Sequence, residues 1–411
     1  MPVISNIGTL ATCKDAGSQA DTHSIPDAAL AWDGENILWL GPEKDLPLQY
    51  RTFEKINAGG RLLVPGLIDC HTHLAFAGWR ADEFEMRMQG RSYLDIARAG
   101  GGILSTVEKT RRASEDELYQ RCLEFLTGMS ALGVTTVECK SGYGLDTENE
   151  LKLLRVYKRL KETQVVGIVP TFLGAHTIAP EYRSNRAGYV RLIIEQMLPK
   201  VAAEKLAVFC DVFVEDSAFT QDEAAVILKA AAAYGLFPRA HVDQLSASGG
   251  AEFAAAAGAV SADHLEMSSE QGLIALAASG TVAVILPLAS VCTAQPALDA
   301  RRLLRAGVRV AVATDFNPGS APSYHLPLAM FLSCVLCRLR PSEALKAATI
   351  NAARALKIEE KAGSLEPGKR ADFALIDSPD INHWLYHFRA NACLLTVASG
   401  RIVHQSADLG N

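Results

Sequence analysis

The chain has 411 residues, a formal net charge of −6 and 21% charged residues. The charges are mixed along the sequence with no basic stripe and no polybasic block, which excludes nucleic acid and a membrane surface as partners and favours a small-molecule substrate. Nine cysteines, odd in number and scattered through mostly apolar surroundings, exclude a disulfide framework and point to reduced thiols in the cytoplasm.

The first residues, MPVISNIGTLATCKD, lack a basic region followed by an apolar block, and no signal peptide is expected. Apolar bursts at 29–32, 37–40 and 61–64, separated by Asp33-Gly34, Gly41-Pro42 and Gly59-Gly60, read as small antiparallel strands. The end of the chain has the same texture, with apolar runs at 372–377 and 393–397 and a Ser399-Gly400 turn leading into 401–404. Neither terminal piece is large enough to be stable alone. Residues 1–62 plus 365–411 are therefore expected to combine into a composite β-sandwich beside a larger domain of 63–364.

That larger domain opens on LVPGLIDCHTHL, residues 63–74, read as one buried strand. Side chains two apart on a strand share a side, so His71 and His73 project together past its end as half of a metal site. On its own a His-x-His could equally be a polar turn, and ligands further along must decide. Seven more apolar runs follow, at 134–138, 165–172, 207–214, 238–241, 259–264, 281–287 and 308–314. Between several of them lie amphipathic segments with capping boxes at Ser114…Glu117, Thr147…Glu150, Thr220…Glu223 and Ser268…Gln271. Eight strands alternating with helices predict an α/β fold, a closed (β/α)8 barrel of the TIM type. An open doubly wound sheet is the second choice, because no Gly-x-Gly-x-x-Gly follows the first strand. The uncharged stretch 271–298 is interrupted by Gly280 and Pro287 and fits helix, turn and strand better than a bilayer span. Cys334 and Cys337 form a Cys-x-x-Cys in a helix-like run with no second pair, and read as core packing.

In a barrel of this kind the C-terminal strand ends share one face. They carry His71 and His73 on the first strand, His176 on the third, His241, Asp243 and Gln244 on the fifth, Asp263 and His264 on the sixth, and Asp315 and Asn317 on the eighth. The remaining histidines, His23, His325, His383, His387 and His404, fit no such pattern and read as surface or local hydrogen-bonding groups. His71, His73, His241 and Asp315 are the candidate ligands of one divalent or trivalent ion, zinc or iron, with room for a water that the ion would acidify. Asp315 is also the candidate proton carrier between that water and a leaving nitrogen. His264 would orient the attacking oxygen or polarise a carbonyl.

His-x-His followed by His, His and Asp at strands one, five, six and eight resembles the amidohydrolase superfamily. The resemblance spans nearly the whole chain through PGLIDCHTHLAFAGWRADEFEMRMQG, AGGGILSTV, VECKSGYGLDTENELKLLRV, PTFLGAHTIAPEY, HVDQLSASGG and TDFNPGS, which are similar to its ring-opening branch in histidine degradation. It implies a small sheet domain made from both chain ends, and hydrolytic opening of 4-imidazolone-5-propanoate to N-formimidoyl-L-glutamate. It implies further that Arg80 grips the propionate with its planar fork, that Tyr93 and Tyr143 lie in the substrate loops, that Tyr143 and His176 hydrogen-bond the ring or carboxylate, and that Asn317, Gly319 and Ser320 line the pocket. Without the resemblance Arg80 reads as a surface charge, the tyrosines as packing, and Asn317-Pro318-Gly319 as a turn.

At one position the chain departs from many relatives, which carry Glu where this sequence has Gln244. An amide makes hydrogen bonds but takes no proton in catalysis, so base duty moves to Asp315 and His264, and Gln244 stays a candidate for contact with the reacting ring. Binuclear members of the superfamily carry a carboxylated lysine on the fourth strand. Here that strand reads CDVFVED, and Lys140, after the second strand, is read as structural or pocket-lining, which favours a single ion. Two alternatives stay in view: a deaminase, which would need Glu at position 244, and a binding scaffold, which would be expected to have lost ligands. A homodimer is the default assembly.

Overall fold

The computed structural model describes residues 1–91 and 101–410. Its strands form two sheets. Both chain ends build the first: β1 (Pro2–Leu10), β2 (Ile25–Asp33), β3 (Asn36–Pro42), β4 (Glu54–Asn57), β5 (Leu62–Pro65), and from the C-terminal side β14 (Phe373–Ile376), β15 (Cys393–Ala398) and β16 (Arg401–Gln405). They are ordered β16-β15-β14-β5-β1-β2-β3, with β4 also on β1. The sheet folds back on itself. Trp32 of β2 meets Phe373 of β14 edge to face at 5.0 Å, and the Trp32 indole N–H donates to the Gly400 carbonyl beyond β15. The layering of a sandwich is thus made from one hydrogen-bonded sheet closing over Ile4, Leu30, Leu63, Leu375 and Leu395. The pairing is not wholly antiparallel, since β1 runs parallel to both β4 and β5.

The second sheet is the barrel. β6 (Leu67–Asp69), β7 (Val134–Lys140), β8 (Gly167–Ala175), β9 (Phe209–Val214), β10 (Phe237–Val242), β11 (Ser261–His264), β12 (Val282–Ile285) and β13 (Val310–Val312) lie side by side in sequence order, every neighbouring pair parallel. Parallel strands covered by helices are buried on both faces, which is why their sequences are continuous apolar runs rather than alternating ones. The seam between β6 and β13 closes just past the strand ends. Asp315 N–H donates to the His71 carbonyl at 3.0 Å, and His73 N–H donates to the Phe316 carbonyl at 2.8 Å. Buried Asp69 accepts from the Thr314 hydroxyl at 2.6 Å. The first and last strands are therefore tied together at the residues that carry the candidate ligands.

Three expectations change. The stretch 63–74 is not one strand: Leu62–Pro65 pairs with β14 and β1 in the terminal sheet, and the chain enters the barrel only at Leu67. The switch falls at Pro65-Gly66, where a side chain is excluded because a Cβ on Gly66 would stand 2.2 Å from the Thr135 hydroxyl. Of the four capping boxes, Ser114…Glu117 and Thr220…Glu223 form. At Thr147–Thr163 the cap is Asp146, accepting from Asn149 N–H, while Glu150 turns inward to take the Gly144 and Leu145 N–H groups. At Glu270–Ser279 the cap is Ser269, one residue later than expected, because the Ser268 hydroxyl donates to Asp243 instead. A capping signature fixes the neighbourhood of a helix start, and tertiary acceptors choose the residue. The stretch 271–298 forms the expected helix, turn and strand, followed by a second short helix (Pro287–Thr293) that was not expected. No helix among the described residues is long and apolar enough to cross a membrane.

Candidate metal centre

Four strand ends bring the site together. His71 and His73 follow β6, His241 lies in β10, His264 ends β11 and Asp315 follows β13, and each is nearly or fully buried. Potential ligand atoms of His71, His73 and Asp315 lie within 4.8 Å of one another, and so do those of His71, His241 and His264. Asp315 Oδ1 is 3.5 Å from Nε2 of both His71 and His73. The His71 and His241 rings stand 4.4 Å apart. Both the Asp315 and His264 backbones take positive φ, 56° and 81°. Such strain in a non-glycine residue persists only where its surroundings hold it, and it is common at functional sites.

Second partners fix which ring nitrogen faces inward. His71 Nδ1 bonds the Asp263 carboxylate at 2.6 Å and His241 Nδ1 bonds Asp211 at 3.0 Å. With those bonds in place Nε2 of each ring is left free to coordinate, and both Nε2 atoms are buried without a hydrogen-bond partner among the described residues. Carboxylate-backed imidazoles with orphaned inner nitrogens beside a carboxylate are the arrangement a divalent ion requires. Burial pushes the His241 imidazole down to about 3, so it stays neutral and able to coordinate. Burial opposes a charge on Asp315, but the imidazoles of His71 and His73 beside it hold its carboxyl well below the usual range, keeping it ionised.

Sequence reasoning missed Asp211 as a histidine partner and gave Asp263 no role beyond its place at a strand end. The available signal was their period: each lies on a buried strand with its side chain turned toward the barrel interior. Below them, Lys140 is fully buried, as a structural reading implied, and donates to Asp211 at 2.6 Å and Glu138 at 2.9 Å.

The rim holds the candidate substrate contacts. Arg80 caps α1 (Ala81–Met88) with a side chain 9% exposed; its Nε is 3.9 Å from Glu83 Oε2, and Nε and Nη1 are buried without a hydrogen-bond partner among the described residues. Its guanidinium fills the place of a side chain on Gly319, where a Cβ would stand 1.0 Å from Arg80 Nη2. Tyr143 is buried, with its ring 5.7 Å from His73 and 5.4 Å from His176, and His176 stacks on His73 at 5.0 Å. Gln244 is half-buried on a loop that Glu215 holds by accepting from Leu245 N–H and the Ser246 hydroxyl. Tyr93 lies outside the described residues. Asn317 differs from expectation in its contacts. Its amide donates to the Asp315 carbonyl and to Ser320 Oγ and accepts from Gly319 and Ser320 N–H, so the side chain braces the loop from within. Of the five histidines set aside, His23, His325 and His383 make local bonds, to the Ala16 carbonyl, the Ala390 carbonyl and Asp380.

The chain belongs to the amidohydrolase family, whose model matches residues 62–403. Solved structures share the architecture: a zinc-complexed atrazine chlorohydrolase from Arthrobacter aurescens superposes with a TM-score of 0.71 at 16% identity, over 98% of this chain and 95% of that one. A 5-methylcytosine deaminase from Klebsiella pneumoniae gives 0.73 at 18% identity, over 98% and 97%. Identity this low shows the fold alone. Two curated relatives lie much nearer. An imidazolonepropionase from Geobacillus thermodenitrificans is 47% identical over 89% of this chain and 88% of its own, and one from Shewanella baltica is 47% identical over 95% and 96%. Within the amidohydrolases this chain groups with the imidazolonepropionases.

Proposed function

We propose that this chain hydrolyses 4-imidazolone-5-propanoate to N-formimidoyl-L-glutamate, the ring-opening step of histidine degradation that its 47% identical relatives are named for. The observation that carries the reading is Arg80: a buried guanidinium on the same barrel mouth as the ligand cluster, with Nε 3.9 Å from Glu83 and with Nε and Nη1 making no hydrogen bond among the described residues, has donors left for a substrate carboxylate.

In the reaction the oxygen of a water adds to the ring carbonyl carbon, the carbonyl C–N bond breaks, and the ring nitrogen leaves with a proton. His71, His73, His241 and Asp315 would hold one ion. Zinc or iron is the ion proposed, since imidazole and carboxylate suit both. When bound, the ion supplies Lewis-acid polarisation of the carbonyl and acidifies a water. Asp315 accepts the water's proton and passes it to the departing nitrogen. His264 orients the attacking oxygen or polarises the carbonyl. Gln244 hydrogen-bonds the ring without taking a proton. Arg80 fixes the propionate, Tyr143 and His176 bound the ring, Tyr93 contributes from its loop, and Gly319 and Ser320 form the wall that Asn317 braces. Nine free thiols fit a reducing cytoplasm, and a homodimer is the assembly proposed.

The test is turnover of imidazolonepropionate by the purified holoprotein, set against a panel of other cyclic amides and of purine and pyrimidine deaminase substrates. Consumption of imidazolonepropionate with stoichiometric formimidoylglutamate, and no ammonia from the panel, is expected. Ammonia release as the faster reaction would replace this reading with a deaminase.

A further inference from the structure

Directly under the ligands lie five charged side chains, Glu138, Lys140, Asp211, Arg239 and Asp263, each fully buried. Taking a charge out of water costs several kcal/mol even after relaxation, and buried ion pairs are often replaceable by apolar groups without loss of stability. Such a cluster therefore asks for a reason other than stability.

The connections supply one. Lys140 Nζ donates to Asp211 Oδ2 at 2.6 Å and to Glu138 Oε1 at 2.9 Å, and stands 3.6 Å from Asp263 Oδ2. Each of these carboxylates reaches upward to a different part of the ligand set. Asp211 holds His241 Nδ1, Asp263 holds His71 Nδ1, and Glu138 Oε2 accepts from the backbone N–H of Thr72, the residue between His71 and His73. Arg239 is the other buried cation, but it touches only Asp263 among the three and spends its remaining bonds on the Cys70 and Ala355 carbonyls. Asp211, His241 and Asp263 also bring potential ligand atoms within 4.8 Å of one another, a cage able to take a cation. The ammonium of Lys140 is the cation there.

We propose that Lys140 is a positioning residue for the metal centre: its ammonium sits in the acidic cage in place of a second ion and holds three carboxylates in register, each fixing one part of the ligand set. The proposal rests on the ligand reading above and deepens it by giving a physical reason for a single ion. Without the ammonium, Asp211 and Glu138 lose their cation and crowd Asp263, which keeps only Arg239, the anchors of the His71 and His241 rings loosen, and the cage opens to a second cation.

The test is ion retention, read separately from turnover. Lys140→Met is expected to release its ion to a chelator at roughly 10- to 100-fold lower chelator concentration than the parent, the usual effect of removing support behind a metal ligand. The electronic spectrum of the cobalt-substituted variant should also change. Lys346→Met is the matched control, since it removes another buried lysine whose ammonium donates to the Ala16 and Ser18 carbonyls. It should lower the melting temperature and leave ion retention and the cobalt spectrum alone. A folded Lys140→Met that keeps its ion as the parent does overturns the proposal, and so does a control that loses the ion equally. If Lys140→Met does not fold, Glu138→Gln is read instead; it is isosteric, but its one amide oxygen can accept from Lys140 or from Thr72 N–H and not from both, so the link between them through this side chain is broken. Weaker retention there supports the proposal and unchanged retention overturns it. A parent that binds no ion would overturn the ligand reading itself.

Discussion

The floor and the rim of the barrel mouth are built on opposite principles. On the floor, Asp211, Asp263, Lys140 and Glu138 are sealed from water and bonded to the candidate ligands or to one another, while the inward-facing Nε2 atoms of His71 and His241 have no hydrogen-bond partner among the described residues. On the rim, Arg80 has two buried nitrogens with no hydrogen-bond partner among the described residues, Gln244 is half-buried, and the contacts sit on loops. A floor saturated with bonds can hold a cation in one geometry. A rim with unspent donors can recognise an anion. The difference separates chemistry from selection: damage to the floor should remove turnover, and damage to the rim should change what is bound.

The largest effect should come from the floor's own carboxylate. Asp315→Ala removes both a ligand and the proton carrier, and turnover should fall by more than about a thousandfold, since general acid–base catalysis alone contributes roughly 10²–10⁴. Metal content measured by elemental analysis should fall with it, and a variant of parental activity would break the division between floor and rim. Next is Arg80→Met. Hydrogen bonds to a charged group contribute about 1.5–3 kcal/mol, so KM should rise roughly 10- to 150-fold with kcat little changed, because ground and transition states share the propionate contact. A fall in kcat with KM unchanged would place Arg80 in the chemistry. Gly319→Ala sharpens the same point at lower cost. The new methyl must displace the Arg80 guanidinium, and KM should rise roughly tenfold through misplacement of a group that is still present.

The smallest effect concerns pH. In the folded, metal-free protein burial takes His241 from the ordinary 6.5 down to about 3, and burial also lowers His73 and His176, while His71 alone of this group is raised. As pH falls below the ordinary histidine value, the unfolded chain gains protons that these folded imidazoles refuse. Their contribution is therefore fully present above about 6.5 and is lost progressively toward acid. Asp69, raised to about 7 by burial, changes in the opposite direction over the same range, so the histidine contribution is read as the difference in melting temperature between chelated parent and chelated His241→Asn, which should shrink between about pH 7.5 and pH 5. A difference that does not shrink toward acid would contradict the neutral, coordinating state assigned to His241.

The strands were the most legible part of this fold because parallel barrel strands are continuous apolar runs, and each of the eight predicted runs overlaps one. The candidate ligands stood out for a related reason: polar residues recur at the ends of such runs, and the structure brings His71, His73, His241, His264 and Asp315 together there. What stayed hidden depends on distance across the fold. Leu62–Pro65 belongs to the terminal sheet because β14, some 310 positions later, pairs with it, and no local pattern distinguishes it from Leu67–Asp69. Glu150 resembles a cap by spacing, but buried N–H groups of the preceding loop claim its carboxylate. Lys140 could be called structural but not placed among Asp211, Glu138 and Asp263, since the partners of a buried charge are set by which strands are neighbours. Arg80 was assigned by resemblance alone; its exposure and its contact with Gly319 are tertiary facts.

The central claim is one ion, held by four strand-end side chains, serving one ring-opening reaction. Titrating zinc or ferrous iron into chelated protein while following loss of imidazolonepropionate tests it most directly. Activity should rise in proportion to added metal and break at one ion per chain. Full turnover by the chelated protein, or a break at two ions, would contradict it.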